Sequence, residues 1–444
     1  MIRIGLASII ALTGMGVVLV HGLVWTSVSY DSRDHSTTKA IVADAVPSLE
    51  SDIDTSEVVA TPDDRPVVGH VPLPEQVRAI YMSACVAGTP SFRNDLVELV
   101  EATELNSIMI DIKDYSGSVS FPNDHPVWGP AWQQASCGAR DMSSFIADLH
   151  ERGIFVIGRI TVFQDPFQTA RRPDIAVLRR DGSVWTDFKG LGFVDVAATE
   201  FWDDIIDLAV LSYNLGFDEL NFDYIRYPSD GDMQAAVYPH TAASQWRNDR
   251  PANLEAFFAH LHEAMTDAER FATVRHENTG RDTAIPWTSA DTFGMTTTNF
   301  DDLSIGQIQE RTAPYFDFVA PMVYPSHYPP GWRGFSNPNH YPYEIVYQAM
   351  RGGVERMQAS TTRVAGFQHE RIGTSTPPVY SKPVFGPERL RTWIQDFNYG
   401  GTYGPAEVRA QIQASYDAGV ESWMLWAPSN RYTREALLPY WSDD

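Results

Sequence analysis

Gly216-Phe217-Asp218-Glu219-Leu220-Asn221-Phe222-Asp223-Tyr224-Ile225-Arg226-Tyr227-Pro228 is the stretch on which the fold turns. It follows a helical run over 201–213, in which Trp202, Ile205, Ile206, Ala209 and Val210 recur at the spacing of one helix face. Asn214-Leu215-Gly216 supplies the stop. The residues that follow predict a short strand carrying acids where a core strand carries valines. By the period of two, Glu219, Asn221 and Asp223 share one face of it. An interior column of polar groups costs stability unless each group is hydrogen-bonded or used. A carboxylate at the C-terminal end of a strand is where β/α barrels place their chemistry. The competing reading is a buried polar network that only fixes the strand.

Upstream of this stretch, strands are predicted over 77–82, 107–113 and 154–160, with helices over 94–102 and 141–152 between them. Downstream, strands over 284–289, 317–323, 391–397 and 420–426 alternate with helical patterns over 254–268, 305–312, 343–351 and 406–418, and a closing helix over 431–438. Eight strand–helix units without hairpin turns predict an α/β fold, a closed (β/α)8 TIM barrel over 73–444, in preference to an open doubly wound sheet. No Gly-x-Gly-x-x-Gly follows a strand and no P-loop occurs, so nucleotide binding has no support. The strand-to-helix connections over 83–93, 114–140, 161–199, 224–252, 290–304 and 324–342 are long, polar and aromatic. Loops of that length are usually functional, and all of these rise from strand C-termini, which predicts the walls of a cleft.

The chain of 444 residues carries a formal net charge of −24. That balance argues against nucleic acid, because phosphate binding needs a basic surface, and equally against an anionic membrane surface. Twelve Trp, nineteen Tyr and twenty-two Phe exceed what a core of this size needs, predicting rings displayed in a groove against a flat ligand. Arg3 precedes an apolar run over 4–20, so residues 1–25 read as a secretory signal peptide or an uncleaved membrane anchor that places the rest of the chain outside. With no small-x-small cleavage site, the anchor is preferred. Residues 26–72 are rich in Ser, Thr, Asp, Val and Pro without sustained periodicity and read as a flexible linker. The expected location is periplasmic or cell-envelope, tethered to the inner membrane. Only Cys85 and Cys137 occur. In an exported protein such a pair predicts a disulfide between the loops after the first and second strands. No Cys/His cluster has metal-ligand spacing, and His369-Glu370-Arg371-Ile372-Gly373 lacks the second histidine of a zinc-protease helix. Neither a metal nor a cofactor is predicted.

The chemistry-bearing residues gather at predicted strand ends. Asp223 ends the fourth strand. Asp291 stands just past the fifth in Trp287-Thr288-Ser289-Ala290-Asp291-Thr292-Phe293-Gly294, and Asp396 ends the seventh in Arg391-Thr392-Trp393-Ile394-Gln395-Asp396-Phe397. Asp111, Lys113 and Asp114 end the second strand and Arg159 the third. Cleavage of a glycosidic bond needs two carboxyl groups flanking it, one protonated and one ionised, and neighbouring carboxyls in a half-closed cleft drive their pKa values apart. Strands four and five are adjacent in a barrel, so Asp223 and Asp291 are the pair expected to straddle one bond. Arg226 or Arg159 would hold Asp223 ionised. The alternative for Asp291 and Asp396 is a turn-forming or capping role. Asp111, Lys113, Asp114, Arg159, Asn221, Tyr224, Arg226, Tyr324 and Gln395 form the expected substrate-binding set. Trp426 is the first choice for stacking on a sugar, among other rings near the acids such as Tyr115, Trp128, Trp132, Phe163, Tyr227, Trp287 and Tyr328.

Ile110-Asp111-Ile112-Lys113-Asp114, Gly158-Arg159-Ile160, Phe163-Gln164-Asp165-Pro166, Asp181-Gly182-Ser183-Val184-Trp185, the stretch from Gly216 to Pro228, Ser289 to Gly294, Met322-Val323-Tyr324-Pro325-Ser326-His327-Tyr328 and Trp393 to Phe397 carry a further signal. Through them the chain resembles, from about Val77 onward, a bacterial family formerly catalogued as a domain of unknown function and described as glycoside hydrolases. The resemblance implies a barrel distantly similar to the α-amylase superfamily, whose carboxylates follow strands four, five and seven. It would make Asp223 the nucleophile, Asp291 the acid/base and Asp396 a transition-state stabiliser. The departure is at strand five, where amylase-like enzymes carry Glu and this chain has the shorter Asp291. The functional expectation is an exported, endo-acting glycoside hydrolase on a polysaccharide or oligosaccharide. Its competitors are a non-catalytic carbohydrate-binding or envelope-associated barrel, and a metal-assisted hydrolase or deacetylase in which Asp111, Asp114 and Asp223 hold a hard divalent ion.

Overall fold

The computed structural model describes residues 63–440. The predicted signal or anchor and most of the predicted linker lie outside the described residues. Among the described residues no helix is long and apolar enough to cross a membrane.

Eight parallel strands close into a barrel in chain order: β1 (Arg78–Met82), β2 (Ser107–Lys113), β3 (Phe155–Thr161), β4 (Glu219–Asp223), β5 (Trp287–Phe293), β6 (Phe318–Met322), β7 (Arg391–Gln395) and β8 (Ser422–Trp426). Leu425 of β8 sits opposite Ile80 of β1, so the sheet closes on itself and leaves no edge. The main connecting helices are α1 (Pro90–Glu101), α2 (Met142–Glu151), α3 (Thr199–Leu215), α4 (Arg250–Thr266), α5 (Gln309–Thr312), α6 (Pro342–Gln358) and α7 (Pro405–Asp417). Each strand is covered on both faces. Leu220 and Phe222 of β4 join the apolar layer beneath the helices, while Tyr81, Met109, Ile157, Ala320, Trp393 and Met424 fill the barrel itself.

Three elements differ from the sequence reading. The fifth strand is expected over 284–289 but runs from Trp287 to Phe293. Pro286 has no N–H to give a ladder, and pairing with β6 continues as far as Phe293 opposite Met322. Asp291 is therefore inside the strand and not past it. The helix expected from 305 is a single turn, α5. Its residues are held by ion pairs to the neighbouring helices, Arg311 with Glu255 and Glu310 with Arg356, and Pro314 follows at once. The closing helix over 431–438 is only the turn Arg434–Ala436, because Leu438 exchanges backbone and side-chain bonds with Glu104 and Pro439 bridges to Thr103.

The predicted linker also ends too late. Val67–Gly69 pairs in parallel with Arg275–Glu277, and Val71 and Leu73 pack against the barrel interior from its base. His70 is buried against Asp218. Residues 67–72 thus belong to the folded body; the short β-branched run Val67-Val68 before Gly69 is too brief to stand out from the polar tract ahead of it. At the opposite end, Cys85 and Cys137 are joined in a disulfide. A side chain at Gly88 would collide there with the Gly138 backbone, so the two segments meet at a glycine.

Candidate active site

The inward face of β4 is the polar column its alternation predicts. Lowest is Glu219, which receives Arg391 Nη1 on both oxygens at 2.6 and 2.7 Å and Ser289 Oγ at 2.6 Å. Asn221 comes next, donating through Nδ2 to Ser289 Oγ and to Asp291 Oδ1, both at 2.9 Å. Asp223 ends the column. Its Oδ2 accepts Arg159 Nη2 at 2.5 Å and Nε at 3.1 Å, and its Oδ1 accepts the Tyr224 N–H at 2.6 Å. Tyr224 sits at φ 51°, a left-handed conformation that is costly for a bulky side chain and persists where surrounding structure enforces it. That turn is what brings its N–H back onto Asp223.

Phe222 of β4 is opposite Ala290 of β5, so Asp223 and Asp291 occupy the next rung on adjacent strands, which are spaced by ~4.8 Å. Asp291 is 1% exposed. Its two hydrogen bonds, from Asn221 Nδ2 and from Trp393 Nε1 at 2.7 Å, both fall on Oδ1, and among the described residues none falls on Oδ2. Burial, and then the charge of Asp223, push its pKa up to about 8. That shift favours the protonated acid at neutral pH. Arg159 is the matching cation. Burial works against its charge, but Asp223 and Asp111 outweigh that and hold its pKa well above the ordinary value. Asp111 accepts Arg159 Nη1 at 2.7 Å and the Tyr81 hydroxyl at 2.5 Å, and burial raises its pKa. The point where Asp111 and Asp223 converge is thus filled by a guanidinium, where the divalent-ion reading needs a metal.

Two cavities open over these groups. The first, about 180 Å³, is lined by Asp223, Asp291, Arg226, Tyr324, His327 and Trp393 among others. The second, about 630 Å³, is lined by Asp111, Asp114, Tyr115, Gln164 and Lys189 among others. Arg159, Tyr224 and Trp426 line both. Trp426 forms the ridge between them, stacked on Tyr81 at 4.1 Å between centroids, edge-on to Trp393 at 5.7 Å and beneath Arg159 at 5.3 Å. Burial holds the Tyr324 phenol well above its usual pKa, reinforced by Asp291, and lowers that of the His327 imidazole.

The structure therefore gathers Asp223, Asp291, Arg159, Tyr224, Arg226, Tyr324 and Trp426 at one cavity and Asp111 and Asp114 at its neighbour. Arg226 lines the wall but does not reach Asp223; its Nη1 goes to the Tyr227 carbonyl and Ser229, and Arg159 alone pairs with the acid.

Four other expectations are corrected. Lys113 is fully buried, its ammonium 2.9 Å from Asp165 and 2.5 Å from the Thr161 carbonyl, after a register shift between Asp111 and Lys113. Asn221 holds Asp291 and does not line either cavity. Gln395 joins loops, accepting the Ser326 N–H and donating to the Phe397 carbonyl. Asp396 is spent on Thr433, whose N–H and hydroxyl reach its two oxygens at 2.8 and 2.6 Å. Arg391 and Trp393 point inward on β7, so Asp396 has the opposite parity and its carboxyl caps the closing turn. Trp128, Phe163 and Tyr227 are packing residues. Sequence reasoning passed over Trp393, Tyr81, Gln164 and His327. Only Trp393 had a usable signal, the inward parity it shares with Arg391.

A family model described as "Putative glycosyl hydrolase domain" matches residues 79–432. The chain belongs to that family. The match runs from β1 past β8, and it makes the enzyme a glycoside hydrolase by class. No curated protein matches the chain significantly. Among solved structures, the glycoside hydrolase domain of PgaB (BpsB) from Bordetella bronchiseptica aligns with 84% of this chain and 99% of that one, at 12% identity and a TM-score of 0.51. A hypothetical protein from Ruminiclostridium thermocellum ATCC 27405 is 24% identical over 45% of this chain and 95% of its own, with a TM-score of 0.37. The glycoside hydrolase domain of PelA from Pseudomonas aeruginosa covers 82% of this chain and 98% of itself, at 9% identity and a TM-score of 0.40. At 12% identity the likeness to the PgaB domain is one of fold.

Proposed function

We propose that the family's chemistry runs here through Asp223 and Asp291, as a retaining double displacement on a polysaccharide outside the cell. The observation that carries this reading is the pair itself: two inward carboxyls on one rung, one ion-paired with Arg159, the other held as an acid with one oxygen bare toward the cavity. Asp223 attacks the anomeric carbon while Asp291 gives its proton to the departing oxygen, leaving a glycosyl ester on Asp223. Asp291, now a base, takes a proton from water; the water attacks the same carbon and Asp223 is released. Carboxyls side by side on adjacent strands fit the ~5–5.5 Å separation of retaining enzymes better than the ~6.5–9.5 Å of inverting ones. Asp396 has no step in this scheme.

Action within a chain is supported by a cleft that continues on both sides of the pair, through the two cavities that meet at Trp426. Export, and a tether to the inner membrane, are supported by the apolar run over 4–20 behind Arg3 and by the Cys85–Cys137 disulfide. The test is a screen against bacterial exopolysaccharides, with NMR of the first product formed. The expected product keeps the anomeric configuration of the bond cleaved; an inverted product removes Asp223 as nucleophile.

A further inference from the structure

The second cavity takes no part in breaking the bond, and its walls are of a different kind. We propose that it is the glycone-side subsite of the cleft, binding uncharged sugar units on the non-reducing side of the scissile bond, with Gln164 and Asp114 as hydroxyl partners and Tyr115 as a stacking surface. This rests on the carboxyl assignment above.

The direction follows from the chemistry. The nucleophile meets the anomeric carbon of the glycone, and the acid meets the oxygen that leaves. The aglycone therefore lies on the Asp291 side, and the glycone, held at its anomeric carbon over Asp223, extends away from it. Beyond Asp291 the first cavity continues over Met322, Tyr324 and Trp393, at β6 and β7. The second lies the other way, over Tyr81, Asp111 and Arg159 of β1, β2 and β3. The glycone extends over that side.

The walls fit a sugar. Gln164 is 3% exposed, its Nε2 has only a long 3.5 Å contact with Asp187, and its Oε1 has no partner among the described residues. Buried polar atoms are nearly always satisfied, and this one stands at the edge of a cavity of about 630 Å³, within the roughly 300–1,000 Å³ of small-ligand sites. Asp114 uses Oδ1 for the Ser116 N–H and hydroxyl and has Oδ2 to offer. Lys189 is a cation on the same cavity. Asp111 and Asp114 are matched there by Arg159 and Lys189, and a lining of balanced charge suits a neutral polyol, whose hydroxyls both donate and accept. Tyr115 is 59% exposed at the same cavity, a flat ring for a pyranose face.

The probes are 4-nitrophenyl glycosides carrying one, two or three units of glucose, galactose or N-acetylglucosamine, in both anomers. They are assayed on the wild type, Gln164→Ala and Tyr115→Ala, with Kd values measured on Asp223→Asn by calorimetry. In the wild type KM falls as units are added on the non-reducing side. Either substitution shrinks that gain by about two- to tenfold, the scale of one hydrogen bond or contact. Tyr115 is at the surface, so its variant keeps the test valid if Gln164→Ala folds poorly. Tyr440→Ala, an exposed ring beside the end of α1, keeps the wild-type dependence. A flat wild-type response, a gain that survives both substitutions, or no turnover and no binding across the panel overturns the subsite. Loss of turnover in Asp223→Asn with the chain-length gain intact in both variants removes the subsite and leaves the carboxyl reading standing. Full turnover in Asp223→Asn removes the carboxyl reading.

Discussion

Asp218 at the base of the barrel and Asp291 at its mouth are both buried aspartates facing ring nitrogens, and they are built to opposite ends. Asp218 has a donor in every direction. Its Oδ1 meets His70 Nδ1 at 3.1 Å and the Val71 N–H at 3.0 Å; its Oδ2 meets His150 Nε2 at 3.0 Å and the Val156 N–H at 2.7 Å. The group fastens the entering segment to β3 and α2. Around it Tyr213 stacks on His70 and His276, and His276, its pKa lowered to about 4 by burial and then by His70, bridges His70 to Asn214. Asp291 receives both donors on one oxygen and leaves the other to a cavity. A carboxyl with every lone pair engaged is a fastener, whereas one with an oxygen left bare and a proton retained is placed to serve as a reagent.

The sharpest way to break this contrast is at Asp223, the proposed nucleophile. Asp223→Asn keeps the shape and removes the charge, so hydrolysis falls by at least about two to four orders of magnitude, read as kcat on any polymer found to be a substrate. Near-normal turnover would end the assignment.

Asp291→Asn comes next, and it separates activity from stability. Turnover of the polymer collapses, while an activated aryl glycoside, whose leaving group needs little protonation, is affected less in the first step. In the wild type kcat/KM declines as pH rises through about 8, where Asp291 loses its proton. Stability moves with the same group. Its folded pKa of about 8 is above the unfolded value of roughly 3.9, so the native state holds a proton that the unfolded chain has lost. Native stability is eroded as pH climbs through that window, and the full cost, on the order of a few kcal/mol, is present above it. Asp291→Asn removes the cost, so its Tm exceeds the wild type's near pH 8 and matches it near pH 4. Parallel melting curves at all pH values would show that Asp291 is not held as an acid.

At the base the expectation is reversed. Asp218→Asn places an amide donor among donors and lowers stability by about 1–3 kcal/mol, with turnover per folded molecule unchanged. A truncation beginning at residue 73 loses His70 and Val71 and melts earlier than one beginning at residue 63. Identical melting would return residues 67–72 to the linker.

The smallest effect is expected at Asp396→Asn. Because that carboxyl is bonded to Thr433, the variant loses a little stability and changes kcat only severalfold or less. A loss comparable with that of Asp223→Asn would return Asp396 to the chemistry.

Much of this was legible in the residue order because it is local. Alternation places Glu219, Asn221 and Asp223 on one face of β4 wherever the strand lies, and the repeated strand–helix pattern, with no hairpin turns between its units, calls for a closed barrel. From those two readings Asp223 and Asp291 follow as neighbours on adjacent strands. The placement of Asp396 shows the limit of the same reasoning: an acid at a strand end is inward or outward by the parity of one residue, and on this strand the inward parity belongs to Arg391 and Trp393.

What tertiary structure alone decided is which partner meets which oxygen. Arg159 and Arg226 were equal candidates for Asp223, and only the register of β3 against β4, with Arg159 opposite Asn221, brings one guanidinium into reach. Lys113 looked like a ligand-binding cation until a register shift in β2 turned it to Asp165. The donors on Asp291 come from β4 and β7, the second of them 102 residues away in the chain, and its elevated pKa is a product of burial and of that company. Periodicity is written in consecutive residues, so the sequence alone determined the faces. Hydrogen bonds across a barrel depend on registers set by closure of all eight strands, and no local pattern encodes them.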